Sequence, residues 1–152
     1  KVMGRNIAEN RKARYNYFIH EEFEAGLILL GTEVKSLRAG RANIQDAYAS
    51  FENDGLYLIN SHIAEYGHGN RNNHEPLRPR QLLMHKKEIK KIAGQIQKAG
   101  KTLIPLSMYF NDRGIVKVKV GLASGKKQHD KRATERERDW NREKQRLLKT
   151  QV

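Results

Sequence analysis

Apolar and polar positions alternate along much of this chain, and the period changes from segment to segment. YNYFI puts Tyr15, Tyr17 and Ile19 on one side of an extended stretch, and FEAGLILL continues it with aliphatic residues, so a strand is expected from Tyr15. GTEVKSLRAG has a helical period: Val34 and Leu37 are spaced i, i+3, Thr32 stands as the N-cap, and Gly40 is the stop. DAYASFENDGLYLIN reads as a hairpin that carries Tyr48, Phe51, Tyr57 and Ile59, with Asn53-Asp54-Gly55 at its turn. HIAEY is a further short strand, and GHGNRNNHEPLRPR has the composition of a loop ending on Arg78 and Arg80. The clearest helix is HKKEIKKIAGQIQKAG. Its Ile89, Ile92, Ala93 and Ile96 fall at i, i+3, i+4, i+7, Gly100 closes it, and its other face is Lys86, Lys87, Lys90, Lys91 and Lys98. TLIPLSMYFNDRGIVKVKVGLA is a second hairpin, turning at Asn111 to Gly114. Its return strand alternates Val116, Val118 and Val120 with Lys117 and Lys119.

Short strands joined by hairpin turns, with two to three flanking helices, predict a mainly β fold: an OB-like antiparallel barrel over residues 15–124. Residues 1–14 have no period and read as a flexible basic arm (Arg5, Arg11, Lys12, Arg14). Residues 125–152 carry few apolar side chains, among them Trp140, Leu147 and Leu148, too few to offset their own ordering entropy. This basic tail is therefore expected to be disordered when free. It is nonetheless rich in helix formers, and Arg138, Arg142 and Arg146 lie four apart. Like charges at that spacing repel in a free peptide, and a phosphate backbone beside them removes the repulsion, so a helix on binding is expected.

Charge changes the picture most. Thirty Lys and Arg against 17 Asp and Glu give a net charge of +13, which makes nucleic acid the leading partner. Both the barrel segment and the tail are basic. The length of 152 residues suits one domain with appendages. Without cysteine there is no disulfide framework and no thiolate zinc site, as suits a reducing, cytoplasmic compartment. No apolar run approaches the roughly 20 residues of a membrane span, so no membrane partner is expected. Because the chain opens on Lys1 rather than Met, its start is expected to be trimmed.

Catalysis finds little support. In GKKQHDKR, His129, Asp130 and Lys131 are adjacent, whereas catalytic groups converge from separate segments. The other histidines (His20, His62, His68, His74, His85) make no HExxH, and no GxGxxG or GxxxxGK[ST] loop occurs, so no metal or cofactor is expected. Lys117 and Lys119 taken alone read as solvated strand lysines. Beside Lys126, Lys127, Lys131 and Arg132 they read as one basic band running from barrel to tail, suited to phosphate. Six aromatics (Tyr15, Tyr17, Phe18, Tyr48, Tyr66, Tyr109) are available for stacking on unpaired bases, and the pattern does not separate them from core residues. Glu24 reads as an exposed strand acid. A generic basic ribosomal or RNA-chaperone protein would fit all of this.

The blocks FEAGLILLGTEVKSLRAG, NIQDAY, HEPLRPRQLLMHKKEI, TLIPLSMYF and VKVKVGLASGKKQHDKR, in this order, resemble the small protein B family of bacteria from about residue 7 to the end. The resemblance implies an OB-like barrel that binds the tRNA-like domain of transfer-messenger RNA near its elbow. It further implies delivery of that RNA, with elongation factor Tu, to ribosomes stalled without a stop codon, as a monomer, one per RNA. The tail then forms a helix in the empty mRNA channel near the small-subunit decoding centre. By the same resemblance, Glu24, Leu83 and Lys117 match RNA-binding positions, with Lys119, Lys126 and Lys127 beside them. Asp130, Lys131 and Arg132 match the tail motif required after RNA binding. His129 then meets ribosomal RNA, along with Arg138, Trp140, Arg142, Arg146, Leu147 and Leu148. Ser124 departs from the family, which usually has Lys or Arg there; Lys119 or Arg113 are the candidates to offset the lost phosphate contact. Met84 replaces a common leucine at similar volume.

Overall fold

The structure is a computed structural model that describes residues 4–67, 72–126 and 142. Strand β1 (Arg5–Glu9) and helix α1 (Ala13–Asn16) precede the long strand β2 (Tyr17–Leu27). Helix α2 (Gly31–Arg38) leads through β3 (Ala42–Asn43) to the hairpin β4 (Tyr48–Glu52) and β5 (Gly55–Ile59). Then come β6 (His62–Ile63), β7 (Arg80–Leu83), α3 (Lys86–Ala99), β8 (Thr102–Phe110) and β9 (Val116–Gly125). Seven strands form one antiparallel sheet in the order β1-β8-β9-β2-β7-β5-β4, and β3 pairs with β6 beside it. The sheet curls until β4, at one edge, packs back against β8. The result is the OB-like barrel expected from the hairpins.

The alternation in β9 decides which side faces in. Val116, Val118 and Val120 are buried, while Lys117 is half-buried and Lys119 exposed. With Phe23 and Ala25 of β2, Leu56 and Leu58 of β5, Leu82 of β7 and Met108 and Phe110 of β8 they fill the barrel. Ile92 of α3 and Leu37 of α2 join the same core. A smaller cluster of Ala13, Ile104, Leu106 and Ala123, with Tyr17 and Ile19 against it, lies where α1 packs on β2 and β8. Helix α3 ends as its pattern predicts, with Gly100 in the left-handed conformation at φ 62°.

Several expectations are corrected. Residues 5–9 are not an arm: β1 pairs with β8 by backbone bonds, and Ala13 of α1 is buried. Tyr15 lies in α1, largely exposed, so the strand begins at Tyr17. Helix α2 is capped through Leu30, whose N–H donates to Glu33 Oε1 at 2.8 Å, while the Thr32 hydroxyl instead meets His74 Nδ1 at 2.9 Å. In the first hairpin the inward residues of β5 are Leu56 and Leu58, and Tyr48 and Phe51 are exposed. The segment after Arg78 is not all loop, because Arg80 opens β7.

A buried ion cluster ties these elements together. Both oxygens of the fully buried Glu33 carboxylate are engaged, Oε2 by Arg80 at 2.6 Å and Oε1 by Arg78 at 2.5 Å. Arg80, itself fully buried, also donates to the Ser61 carbonyl at 2.5 Å and to Pro76 O at 3.1 Å. A charge removed from water this completely holds only with such saturation.

Candidate nucleic-acid interface

The outward face of the sheet is set by the same alternation that buries the valines. Strand pairing aligns Asn6 with Tyr109, Tyr109 with Lys117, Lys117 with Gly26, and Gly26 with Leu83. A second row aligns Glu9, Ser107, Lys119 and Glu24. The rows are two residues apart on each of the central strands, about 7 Å, and neighbouring strands are about 4.8 Å apart. Glu24, Lys117 and Leu83, far apart in sequence, are therefore neighbours on one wall.

Gly26 is what lets them meet. A Cβ built there would lie 3.4 Å from Leu83 Cβ and 3.8 Å from Lys117 Nζ, so the Leu83 side chain and the ammonium share the space over a bare backbone. Leu83 is half exposed although β7 could have turned a polar residue outward. The Tyr109 hydroxyl donates to Glu24 Oε2 at 2.5 Å. Burial first, then this bond and the carboxylate charge, push the Tyr109 hydroxyl pKa well above its ordinary 10.0. The tyrosine thus stays a donor, and Oε1 of the exposed Glu24, without a bond among the described residues, can accept from a base amino group or a ribose hydroxyl. A shallow concavity of about 410 Å³ opens beside this pair, with Arg5 and Asn6 on its rim. The wall offers a fixed acceptor, a cation for phosphate and an apolar contact within one small area.

Lys119 lies in the second row, with Glu22 Oε2 at 4.0 Å. Lys126 is elsewhere. Its ammonium sits 5.2 Å from the Phe18 ring centroid, and Tyr17 pairs with Gly125, so it stands at the far end of β2 and β9. No cation lies between Lys119 and Lys126 on β9, and Lys127, Lys131 and Arg132 of the expected basic band lie outside the described residues. Ser124 shares a hydrogen bond with His20 Nε2 at 2.8 Å. Arg113 is exposed in the β8–β9 turn. The lysines of α3 are exposed as expected, and Lys91 bonds Glu21 at 2.8 Å. His68, Lys127, His129, Asp130, Lys131, Arg132, Arg138, Trp140, Arg146, Leu147 and Leu148 lie outside the described residues, and Arg142 is exposed.

Sequence reasoning did not single out Gly26 or Tyr109. Tyr109 was one of six aromatics, and only its outward register next to Lys117 distinguishes it. Gly26 carries no side chain to notice. Among the described residues no group of three His, Asp or Glu could hold a metal ion, and no helix is long and apolar enough to cross a membrane.

A family model described as SmpB protein matches residues 7–150. The SsrA-binding protein of Caulobacter vibrioides is 58% identical over 147 residues, covering 97% of both chains. That of Agrobacterium fabrum is 58% identical over 149 residues, 98% of this chain and 93% of its own. The SsrA-binding protein of Wolbachia pipientis wMel is 58% identical over 146 residues, 96% of this chain and 98% of its own. Among solved structures, a chain from "tmRNA-SmpB: a journey to the center of the bacterial ribosome" matches with a TM-score of 0.64 and 51% identity, over 78% of this chain and 82% of that one. Barrel, block order and near full-length identity agree, and the chain belongs to the SmpB protein family.

Proposed function

We propose that this protein is a non-catalytic RNA-binding adaptor of ribosome rescue. Its barrel binds the tRNA-like domain of transfer-messenger RNA, and residues 125–152 act on the stalled ribosome, in the empty mRNA channel near the decoding centre. It works in the cytoplasm as a monomer, one per RNA, within a complex that carries elongation factor Tu. The near full-length likeness to SsrA-binding proteins, and the likeness of 78% of the chain to a tmRNA-SmpB structure, support transfer-messenger RNA and the ribosome as partners.

The observation that carries the reading is the meeting of Leu83 and Lys117 over Gly26, next to a Glu24 carboxylate fixed by Tyr109. Lys117 neutralises a phosphate, which positions the RNA without reading sequence. Leu83 packs against an exposed sugar or base, and Glu24 accepts from a group that only a particular RNA conformation brings to it. Such a surface recognises a folded elbow by shape rather than by base sequence. Charge alone would bind any RNA.

The test is equilibrium binding to the tRNA-like domain in the presence of equimolar elongator tRNA. The reading predicts preference for the tRNA-like domain; equal affinity would leave only a generic basic RNA-binding protein. Alanines at Asp130, Lys131 and Arg132 are expected to spare this binding and to stop peptide tagging on stalled ribosomes. Neither the wild type nor His129→Ala is expected to cleave RNA or peptidyl-tRNA.

A further inference from the structure

The outer wall carries more apolar surface than Leu83. Along the end of β2 and the residues after it, Leu27 and Leu29 pack against the core, while Ile28 turns outward with Gly26 and is 46% exposed. The Ile28 N–H donates to Gln81 O at 3.0 Å, which carries the β2–β7 pairing one step beyond Leu27 and Leu82. On the other side of β2, Gly26 pairs with Lys117. The same register brings Ile115, two residues before Lys117, level with Ile28, two residues after Gly26. Ile115 is 52% exposed, whereas Val116 beside it is buried. Leu83, at 50%, pairs with Gly26 itself.

Three half-exposed aliphatic side chains therefore surround one glycine and one lysine. Single exposed aliphatics are ordinary on a protein surface, but a cluster of them marks a contact. These positions span about 10 Å across three neighbouring segments and about 7 Å along them, enough for the flat face of one purine. Gly26 keeps the centre low, because it puts no side chain there. The backbone beneath is held still. Arg78 Nη2 donates to Ile28 O at 3.2 Å, the Ile115 N–H donates to Asn111 Oδ1 at 2.9 Å, and the Asn111 N–H donates to Ile115 O at 2.8 Å. Gln81, opposite Ile28, sends its amide the other way, to the Asp54 carbonyl at 3.4 Å.

Whatever covers this shelf must also accommodate Lys117. An apolar protein surface would bury that ammonium without a partner, at a cost. A nucleotide supplies both an apolar face and a phosphate. Bases inside a regular helix are covered on both faces by their neighbours, so only a base at the end of a stack has a face to offer.

We propose that Ile28, Leu83 and Ile115 form a shelf for the exposed face of a loop base at the end of a stack in the bound transfer-messenger RNA, with a phosphate of the same strand on Lys117. The inference rests on the RNA-binding reading above and adds Ile28 and Ile115 to its contact set. It lets the wall select a folded loop over a regular helix.

The test is a coupling measurement. Each loop nucleotide of the tRNA-like domain is replaced in turn by an abasic one, which keeps the phosphate and removes the base. Equilibrium binding is measured with wild type and with the double variant Ile28→Thr, Ile115→Thr. With wild type, one position is expected to lose about tenfold in affinity, the worth of one stacked base. The double variant is expected to bind the intact RNA several-fold more weakly, and to lose little more when that same base is absent. Its slope of log K against log salt should match wild type, because no charge is removed. Threonine keeps the β-branch and both side chains stand half in solvent, so the melting transition checks the fold. Should the double variant fail to fold, Ile115→Thr alone carries the test. Abasic profiles that are the same for both proteins, with wild type still preferring the tRNA-like domain, would overturn the shelf alone. So would a loss of affinity in the variant with no coupled position. A wild type that binds the tRNA-like domain no better than elongator tRNA would overturn the proposed function and the shelf with it.

Discussion

Glu33 and Glu24 are both carboxylates beside basic residues, and they have opposite surroundings. Glu33 is fully buried, and Arg78, Arg80 and the Leu30 N–H occupy its oxygens. Glu24 is exposed on the outer wall, with one strong bond from Tyr109 and its cross-strand neighbour Lys119. The buried cluster has no capacity left for a partner, so its chemistry is spent on joining α2, β7 and the loop before it. The outer group is held still on one side and left open on the other. Saturation marks a structural charge, and partial satisfaction on a rigid strand marks one available for binding.

The largest expected effect breaks the buried half of this contrast. Glu33→Gln leaves Arg80 uncompensated inside the fold and should cost about 3–5 kcal/mol in denaturant unfolding. The pH dependence has a definite sign. Burial raises the Glu33 pKa, but the Arg78 bond, the Leu30 N–H and Arg80 outweigh it and hold the pKa below 4.5. A lowered folded pKa contributes stability above 4.5 that is lost as pH falls through the folded value, so the stability gap between wild type and Glu33→Gln should narrow with acid below that point.

Next in size comes the outer wall. Lys117→Gln should weaken RNA binding about tenfold near 0.15 M salt, reduce the salt slope by about one, and leave the melting temperature unchanged. Gly26→Val should be milder. Its methyls would enter the space shared by Leu83 and Lys117 and part them, so affinity should fall a few-fold while Gly26→Ala, whose Cβ just meets Leu83, changes less. The smallest effect concerns Tyr109. A raised folded pKa gives stability that is in place below the unfolded value of 10.0 and fades as pH rises above it. Tyr109→Phe should remove that alkaline decline, measured by thermal melts between neutral pH and pH 11.

Most of the barrel was legible because its strands announce themselves by period. Val116, Val118 and Val120 against Lys117 and Lys119 gave β9, and the isoleucines of α3 gave the helix that closes the core. β1 was not, since an edge strand is held by backbone bonds to β8 and buries only part of Ile7 and Ala8. β7 escaped because four residues are too few for a period. Family likeness pointed to Glu24, Leu83 and Lys117 one by one. Their juxtaposition is a matter of strand register, which no local pattern contains, and so is the role of Gly26 between them.

The outer wall is proposed to bind RNA while contributing little to holding the fold. Binding of the triple variant Glu24→Gln, Leu83→Ala, Lys117→Gln to the tRNA-like domain, measured alongside its melting temperature, tests it most directly. Affinity is expected to fall at least to that of an elongator tRNA, while the melting temperature falls by no more than the few degrees that the lost Tyr109–Glu24 bond costs. Unchanged affinity, or a loss of affinity that follows a loss of fold, would contradict it.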